Sequence, residues 1–385
     1  MNARRPPYTL TEHEWPALAR DALNMADAHA RHSLSGGSVR RVSEVVHGLL
    51  VNGRSDYFEA EATFREALAQ HTGQHYRAGC SHLTYSASIA LDVVAKHLLP
   101  QQGPIGVITP TFDSVPALFG RSGLELSPIP ERRVLPVCDL DFLSSLRLSA
   151  LIIVAPNNPT GAVLPPDQAL ELLEWAARNG TTLVLDTSFR MFDPGMRLDL
   201  IEAADGIGAD TVTVDDTGKT IPLHDTKVGI LSASRALAPR IGMICSDVLL
   251  NVSELNLRML AALLEDGGPD GEVARARDVA AANLARLEQR YGLEGPTPGP
   301  GDFQPSVSWL HWGPRRDAVI EACRSRAIEL LPGDRFYWDR VVDDGDNPGS
   351  EWIRLPLLRD EELFSRGLEL LDTAARSVGA QEEAV

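Results

Sequence analysis

The amino-acid sequence predicts an α/β protein with a large, doubly wound, mostly parallel sheet, a smaller C-terminal α+β lobe and an N-terminal arm. Three observations predict it. Short apolar runs ending in polar loops recur between residues 104 and 219, a segment of helical period separates two of them, and a Pro/Gly-rich stretch follows residue 290. The length of 385 residues agrees, because a single core stops growing at roughly 250 to 300 residues.

In chain order, residues 1–45 read as an arm or lid, in which "EWPALARDALNMADAHARHSLSGG" is expected to be a helix stopped by Gly36 and Gly37. Residues 46–250 form the large domain. There, "TYSASIALDVVAKHLL" places small hydroxyl residues directly before an amphipathic helix, while "PIGVITPTF", "SALIIVAPNNPTG", "TTLVLDTSF" and "DTVTVDDTGK" each read as a short buried strand. Between the second and third of these, "PPDQALELLEWAARNG" opens on proline, spaces its apolar residues three or four apart and stops at Gly180. That is a crossover helix between parallel strands. Residues 251–385 make the smaller lobe, with "GLEGPTPGPGDFQPS" as a hinge or loop and "WIRLPLL" as a strand. Ligands of such sheets sit beyond the carboxyl ends of the strands, where every quoted loop falls.

Composition narrows the function. A formal net charge of -17 argues against a nucleic-acid surface, which needs clustered Lys and Arg, and suits a small cationic substrate. Cys80, Cys138, Cys245 and Cys323 lie far apart with no C-x-x-C pair, so neither a metal site nor a disulfide framework is expected. The opening "MNARRPPYTLTEHEW" turns polar where an export signal would be apolar, and no apolar run reaches the roughly 20 residues of a membrane span. A cytoplasmic protein without membrane partners is the expectation.

Four polar residues follow strand-like runs in a fixed order. Asn158 stands in "APNNPTG", Asp186 closes "TTLVLD" 28 residues later, Lys219 follows after 33 more, and Lys227 after another eight. Each alone has an ordinary reading: a turn, a cap, a solvated lysine. Their order and spacing together resemble the signature of the fold-type-I pyridoxal-phosphate (PLP) enzymes, the class that includes the aspartate aminotransferases.

That resemblance implies a fold-type-I PLP-dependent transferase fold and a role for each residue. Lys219 would form the Schiff base with the cofactor aldehyde. Asp186 would pair with the protonated pyridine nitrogen, keeping the ring electron-withdrawing. Asn158 would face the ring's phenolic oxygen, Phe112 would stack on the ring, and Ser86, Ala87 and Ser88 would cradle the phosphate at a helix N-terminus. By their local sequence alone Ser86 is also an N-cap and Phe112 also a core residue. Three positions depart from the common pattern: Asp216 replaces the serine three residues before the lysine, Lys227 replaces the arginine eight after it, and Phe189 replaces a tyrosine. Lysine serves as a phosphate-binding point charge without arginine's fork, and Ser188 becomes the candidate for the contact that phenylalanine cannot make.

A narrower similarity covers nearly the whole chain. "LTEHEW", "NMADAHAR", "PTFD", "PNNPTG", "LDTSFR", "DDTGKTIPLHDTK", "SDVLLNVS" and "WIRLPL" resemble the PLP- and O2-dependent L-arginine oxidases and hydroxylases of actinobacterial natural-product pathways, including those that feed enduracididine. The resemblance implies that Arg354 clamps the substrate carboxylate, that Glu14 and Asp216 face its guanidinium, and that His29 reaches the active site from the arm for the oxygen chemistry. It implies oxidation of L-arginine by O2 through a quinonoid to a 2-keto acid or its 4-hydroxy derivative, with release of ammonia and H2O2, in a homodimer. Ile221 stands where that subgroup has tryptophan, and His224 lies nearby, which leaves substrate length and end point open. An arginine aminotransferase and a cyclising enzyme similar to capreomycidine synthase are the alternatives. A PLP-binding transcription factor would need a basic helix-turn-helix ahead of the core, for which the arm is too short.

Overall fold

The computed structural model describes residues 9–18, 22–52, 56–265, 271–292, 303, 305–341 and 346–382. Two sheets organise them. The arm supplies β1 (Leu23–Met25); the large domain supplies β2 (Ser81–Thr84), β3 (Ile105–Thr109), β4 (Leu126–Pro130), β5 (Ala150–Val154), β6 (Thr182–Asp186), β7 (Thr211–Asp216) and β8 (Gly229–Ala233). β9 (Val307–His311), β10 (Ile328–Pro332) and β11 (Trp352–Pro356) follow. The seven-stranded sheet runs β2-β8-β7-β6-β5-β3-β4 and is parallel except where β8 meets β7 and β2. The smaller sheet runs β1-β10-β11-β9.

β3, β5, β6, β7 and β8 are buried along their whole length, which is why they read as unbroken apolar runs rather than alternating ones. The crossover helix Pro166–Asn179 lays Leu172, Leu173, Trp175 and Ala176 on that sheet and ends at Gly180 in the left-handed region (φ 63°). All four strands expected from sequence, this helix and the "WIRLPLL" strand are present. β5, β6 and β7 deliver their C-termini, with Asp186 and Asp216 as last residues, to one edge of the sheet.

The arm departs from expectation. In place of one helix ending at Gly36, the chain forms a single turn at Leu10–Glu14, a 3-10 turn at Trp15–Leu18 and strand β1, and a helix begins at Gly36 and runs to Asn52. Helical propensity lost to tertiary pairing: β1 aligns in parallel with Ile328–Leu330 of β10, and Asn24 Oδ1 accepts from the backbone N–H groups of Ala26 (3.2 Å) and Asp27 (3.0 Å), turning the chain out of any helix. The helix Gly36–Asn52 crosses the expected boundary at 45. Helix Glu254–Leu264, past the boundary at 250, packs Leu257, Leu260 and Leu264 with Phe64, Leu68 and Ile230 of the large domain. Among the described residues no helix is long and apolar enough to cross a membrane.

Candidate active site

The carboxyl edge of the large sheet gathers the predicted residues. Asp186, at the end of β6, is 6% exposed, and burial pushes its carboxyl up to about 6. The charge of Asp216 adds to that rise and Lys219 opposes it. Ser188 donates to Asp186 Oδ1 twice, from its hydroxyl at 2.6 Å and its N–H at 3.0 Å. Ser188 therefore orients Asp186, and its hydroxyl is not directed to the phenolic-oxygen contact expected of it. An Oγ two residues past a strand-end carboxylate closes a tight local turn at little entropic cost.

Lys219 ends the 3-10 turn Thr217–Lys219 directly after β7, its ammonium 5.8 Å from the centroid of the Phe189 ring. Asn158 follows β5 and is buried, and its side-chain oxygen has no hydrogen-bond partner among the described residues. Phe112 follows β3 and packs beside Phe336, with ring centroids 6.2 Å apart. Ser86 caps the helix Ala87–Leu98, accepting from Ile89 N–H at 3.3 Å, while Ser88 is exposed one residue further on. Gly229 lets β8 approach this cap, since a Cβ there would lie 2.5 Å from the Ser86 carbonyl carbon.

Asp216 stands apart from its expected role. Its Oδ1 accepts from Gly218 N–H at 2.8 Å and its Oδ2 from Ala87 N–H at 3.2 Å, so it ties the lysine turn to the first turn of that helix. One of the N–H groups expected to meet phosphate is thus held by a carboxylate. Helix N-termini attract anions, and a buried aspartate is the nearest one.

The arm closes over this edge. Leu10 N–H donates to Asp113 Oδ2 at 2.8 Å, joining the first arm turn to the loop after β3. Glu14 then meets Arg354 of β11, with Nη2 to Oε1 at 3.0 Å. The sequence reading put these two at opposite ends of a substrate; the structure pairs them, because a fully buried guanidinium attracts the nearest carboxylate. Burial raises the Glu14 carboxyl to about 7 and lowers the Arg354 guanidinium, each partly offset by the other's charge. Arg354 also donates to the Ala26 carbonyl, yet its Nε and Nη1 are buried with no partner among the described residues. The bare donors flank Nη2 on either side, so Arg354 offers a planar anion a two-pronged edge once Glu14 leaves Nη2.

His29 of the arm reaches the two lysines. Its Nε2 lies 2.7 Å from Lys227 Nζ and 3.3 Å from Lys219 Nζ, and its Nδ1 2.5 Å from Asp27 Oδ1. Lys227, expected on the phosphate, here sits on the imidazole, and burial lowers its ammonium. Sequence reasoning missed Asp27, Arg31 and Arg359, which hold this loop, and the part-buried trio Glu131, Asn157 and Thr160, in which Glu131 Oε1 accepts from both others beside Asn158. The Asp-x-His-x-Arg spacing of "DAHAR" was the available signal for the first group.

Comparison with known proteins bears on this arrangement. Residues 51–355 match the family model of aminotransferase class I and II, and the chain belongs to that family. Its cofactor is pyridoxal 5'-phosphate. Among curated relatives, threonine-phosphate decarboxylase of Pseudomonas aeruginosa is 29% identical over 62% of this chain and 70% of its own. Capreomycidine synthase of Streptomyces vinaceus is 25% identical over 41% of this chain and 42% of its own. The solved structure of MppP soaked with its product 2-ketoarginine superposes with a TM-score of 0.81 at 30% identity, covering 91% of this chain and 98% of that one. Aspartate aminotransferase from Thermus thermophilus, at 18% identity and a TM-score of 0.72, covers 96% and 97% and shares the fold.

The residues present fit the cofactor. A buried carboxylate raised to about 6 suits a cationic ring nitrogen, and the start of the helix Ala87–Leu98 offers N–H groups suited to a phosphate.

Proposed function

We propose that the protein is a PLP-dependent oxidase of L-arginine or a close guanidino amino acid, acting as a homodimer in natural-product biosynthesis. The observation that carries this reading is the arm histidine held against both lysines, His29 Nε2 at 3.3 Å from Lys219 and 2.7 Å from Lys227, which puts an arm residue at the reactive amine. The similarity to MppP, soaked with its product 2-ketoarginine, supports the substrate class.

When bound, PLP supplies an electron-poor ring that delocalises charge from the substrate's α-carbon. The chain's residues do the rest. Asp186 would face the ring nitrogen, Asn158 and Phe112 would fix the ring, and Ser86, Ala87, Ser88 and Lys227 would hold the phosphate. Lys219 removes the α-proton. The substrate splits the Glu14–Arg354 pair: its carboxylate takes the fork that Arg354 presents once Glu14 leaves, and its guanidinium takes Glu14. This exchange conserves charge in a buried site, which keeps its cost low. The arm excludes water while O2 accepts the electrons. The balanced reaction is L-arginine, O2 and water giving 2-ketoarginine, ammonia and H2O2; a second O2 and water give the 4-hydroxy product and a second H2O2.

An oxygen electrode tests this. Uptake of O2 with L-arginine and no keto-acid acceptor is expected, with the keto acid found by mass spectrometry. Turnover only when a keto acid is supplied would make the protein an aminotransferase, and a cyclic guanidino product would make it a cyclising enzyme.

A further inference from the structure

Asp27 is 3% exposed, and among the described residues its carboxylate is met by groups that donate. Its Oδ1 accepts from His29 Nδ1 at 2.5 Å and from His29 N–H at 3.0 Å, and its Oδ2 accepts from Arg31 Nε at 2.8 Å and lies 2.7 Å from Arg31 Nη2. Arg359 fixes the backbone around it, donating to the carbonyls of Asp27 at 2.6 Å and His29 at 3.1 Å. Burial alone would raise the Asp27 carboxyl, but the hydrogen bond from His29, with the charges of Arg359 and Lys219, holds it well below the usual carboxylate range. Ionised, it can only accept, so the proton between it and Nδ1 belongs to the imidazole. Burial first, and then the Lys219 charge, bring His29 down to about 4, so the ring is neutral near pH 7. A neutral ring with its proton on Nδ1 presents a bare Nε2, and that atom faces both lysines.

We propose that Asp27 is a positioning residue: it locks His29 as the Nδ1–H tautomer and aims the Nε2 lone pair at the Lys219 amine, with which His29 exchanges a proton. The proposal rests on the reading of Lys219 as the reactive amine. The transfer to an imidazole brought down to about 4 runs uphill and is transient: an N–H bond of the Lys219 ammonium breaks and Nε2–H forms, leaving a neutral amine with its electron pair and an imidazolium facing Asp27. The reverse step restores both, and no electrons change owner. The charged groups around His29 are Asp27 and Arg31 of its own loop, Lys219 and Lys227 from the segment between β7 and β8, and Arg359 after β11.

Arg31 makes the test sharp. Its charged fork outweighs the neutral His29 backbone N–H in the contest for the single oxygen, so in Asp27→Asn the amide oxygen goes to Arg31 and the amide NH2 turns toward His29 Nδ1, forcing the proton to Nε2. Removing the fork as well, in Asp27→Asn with Arg31→Met, lets the amide rotate back. Histidine-selective 15N NMR of the full chain, with and without PLP and assigned with His29→Gln, reads the tautomer directly. The parent is expected as Nδ1–H, Asp27→Asn as Nε2–H, the double variant as Nδ1–H again, and Arg31→Met alone unchanged.

Stopped-flow absorbance of covalent PLP attachment should slow in Asp27→Asn, on the order of a hundredfold, and recover in the double variant. An Nε2–H tautomer in the parent, which needs no variant to fold, would overturn the proposal. So would a switched tautomer in Asp27→Asn with an unchanged attachment rate. The reading of Lys219 fails separately, if borohydride fixes PLP on another lysine of the parent.

Discussion

Replacing Asp186 by asparagine separates the cost of a buried charge from its use. The carboxyl is raised from 3.8 to about 6, mainly by burial. At about 1.4 kcal/mol per pKa unit, holding it ionised costs the folded protein roughly 3 kcal/mol. Between pH 4 and pH 6 the unfolded chain has released this proton while the folded chain keeps it, so stability falls as pH rises across that window and the loss is complete above it. Asparagine carries no charge, and its oxygen still accepts from the Ser188 N–H and hydroxyl that now reach Oδ1. The PLP-free variant should therefore match the parent near pH 4 and exceed it by about 3 kcal/mol near pH 8, read from urea denaturation at the two pH values. With PLP bound the order reverses, because the ring nitrogen loses its counter-charge, and turnover should fall on the order of a hundredfold. A variant no more stable than the parent at pH 8, or a gain equal at both pH values, would refute the claim that burial dominates this carboxyl.

Three further outcomes are expected. Lys219→Ala should abolish the absorbance band of covalently attached PLP while leaving reversible binding measurable by equilibrium dialysis. Arg354→Lys keeps the charge and loses the planar fork, so KM for L-arginine should rise by a factor corresponding to about 1.5 to 3 kcal/mol with a smaller change in kcat. Glu14→Gln weakens the hold on Arg354, since an amide oxygen accepts without a charge, and removes an acid: KM should rise for L-arginine and fall for norleucine, which has the carboxylate without the guanidinium. Because burial raises Glu14 to about 7, its carboxylate is formed only above that pH, and parent and variant should converge in KM below pH 6.

Most of the large domain was legible because its strands are buried on both faces, and burial of that kind writes itself into sequence as continuous Val, Ile and Leu runs. Asp186, Asp216, Asn158 and Lys219 were legible for the related reason that each directly follows such a run, so the strand that could be read also fixed the place of the residue. The arm obeys a different rule. β1 has three residues and exists only through its parallel pairing with β10, more than three hundred positions away, and no local period encodes a partner at that distance.

The same holds for the contacts that complete the site. Glu14 with Arg354 and His29 with Lys219 are separated by 340 and 190 residues, and each pairing follows from where the arm lies rather than from either side chain's neighbours in sequence. Buried polar groups find the nearest complementary partner that the fold allows, and before the substrate arrives that partner is another residue of the chain. A residue assigned to a ligand by sequence is therefore met in the structure paired with a stand-in: Glu14 on Arg354 for a carboxylate, Asp216 at a helix start for a phosphate, His29 on the lysines for an acceptor. Each pairing marks, by the donor or acceptor it supplies, the kind of group expected to displace it.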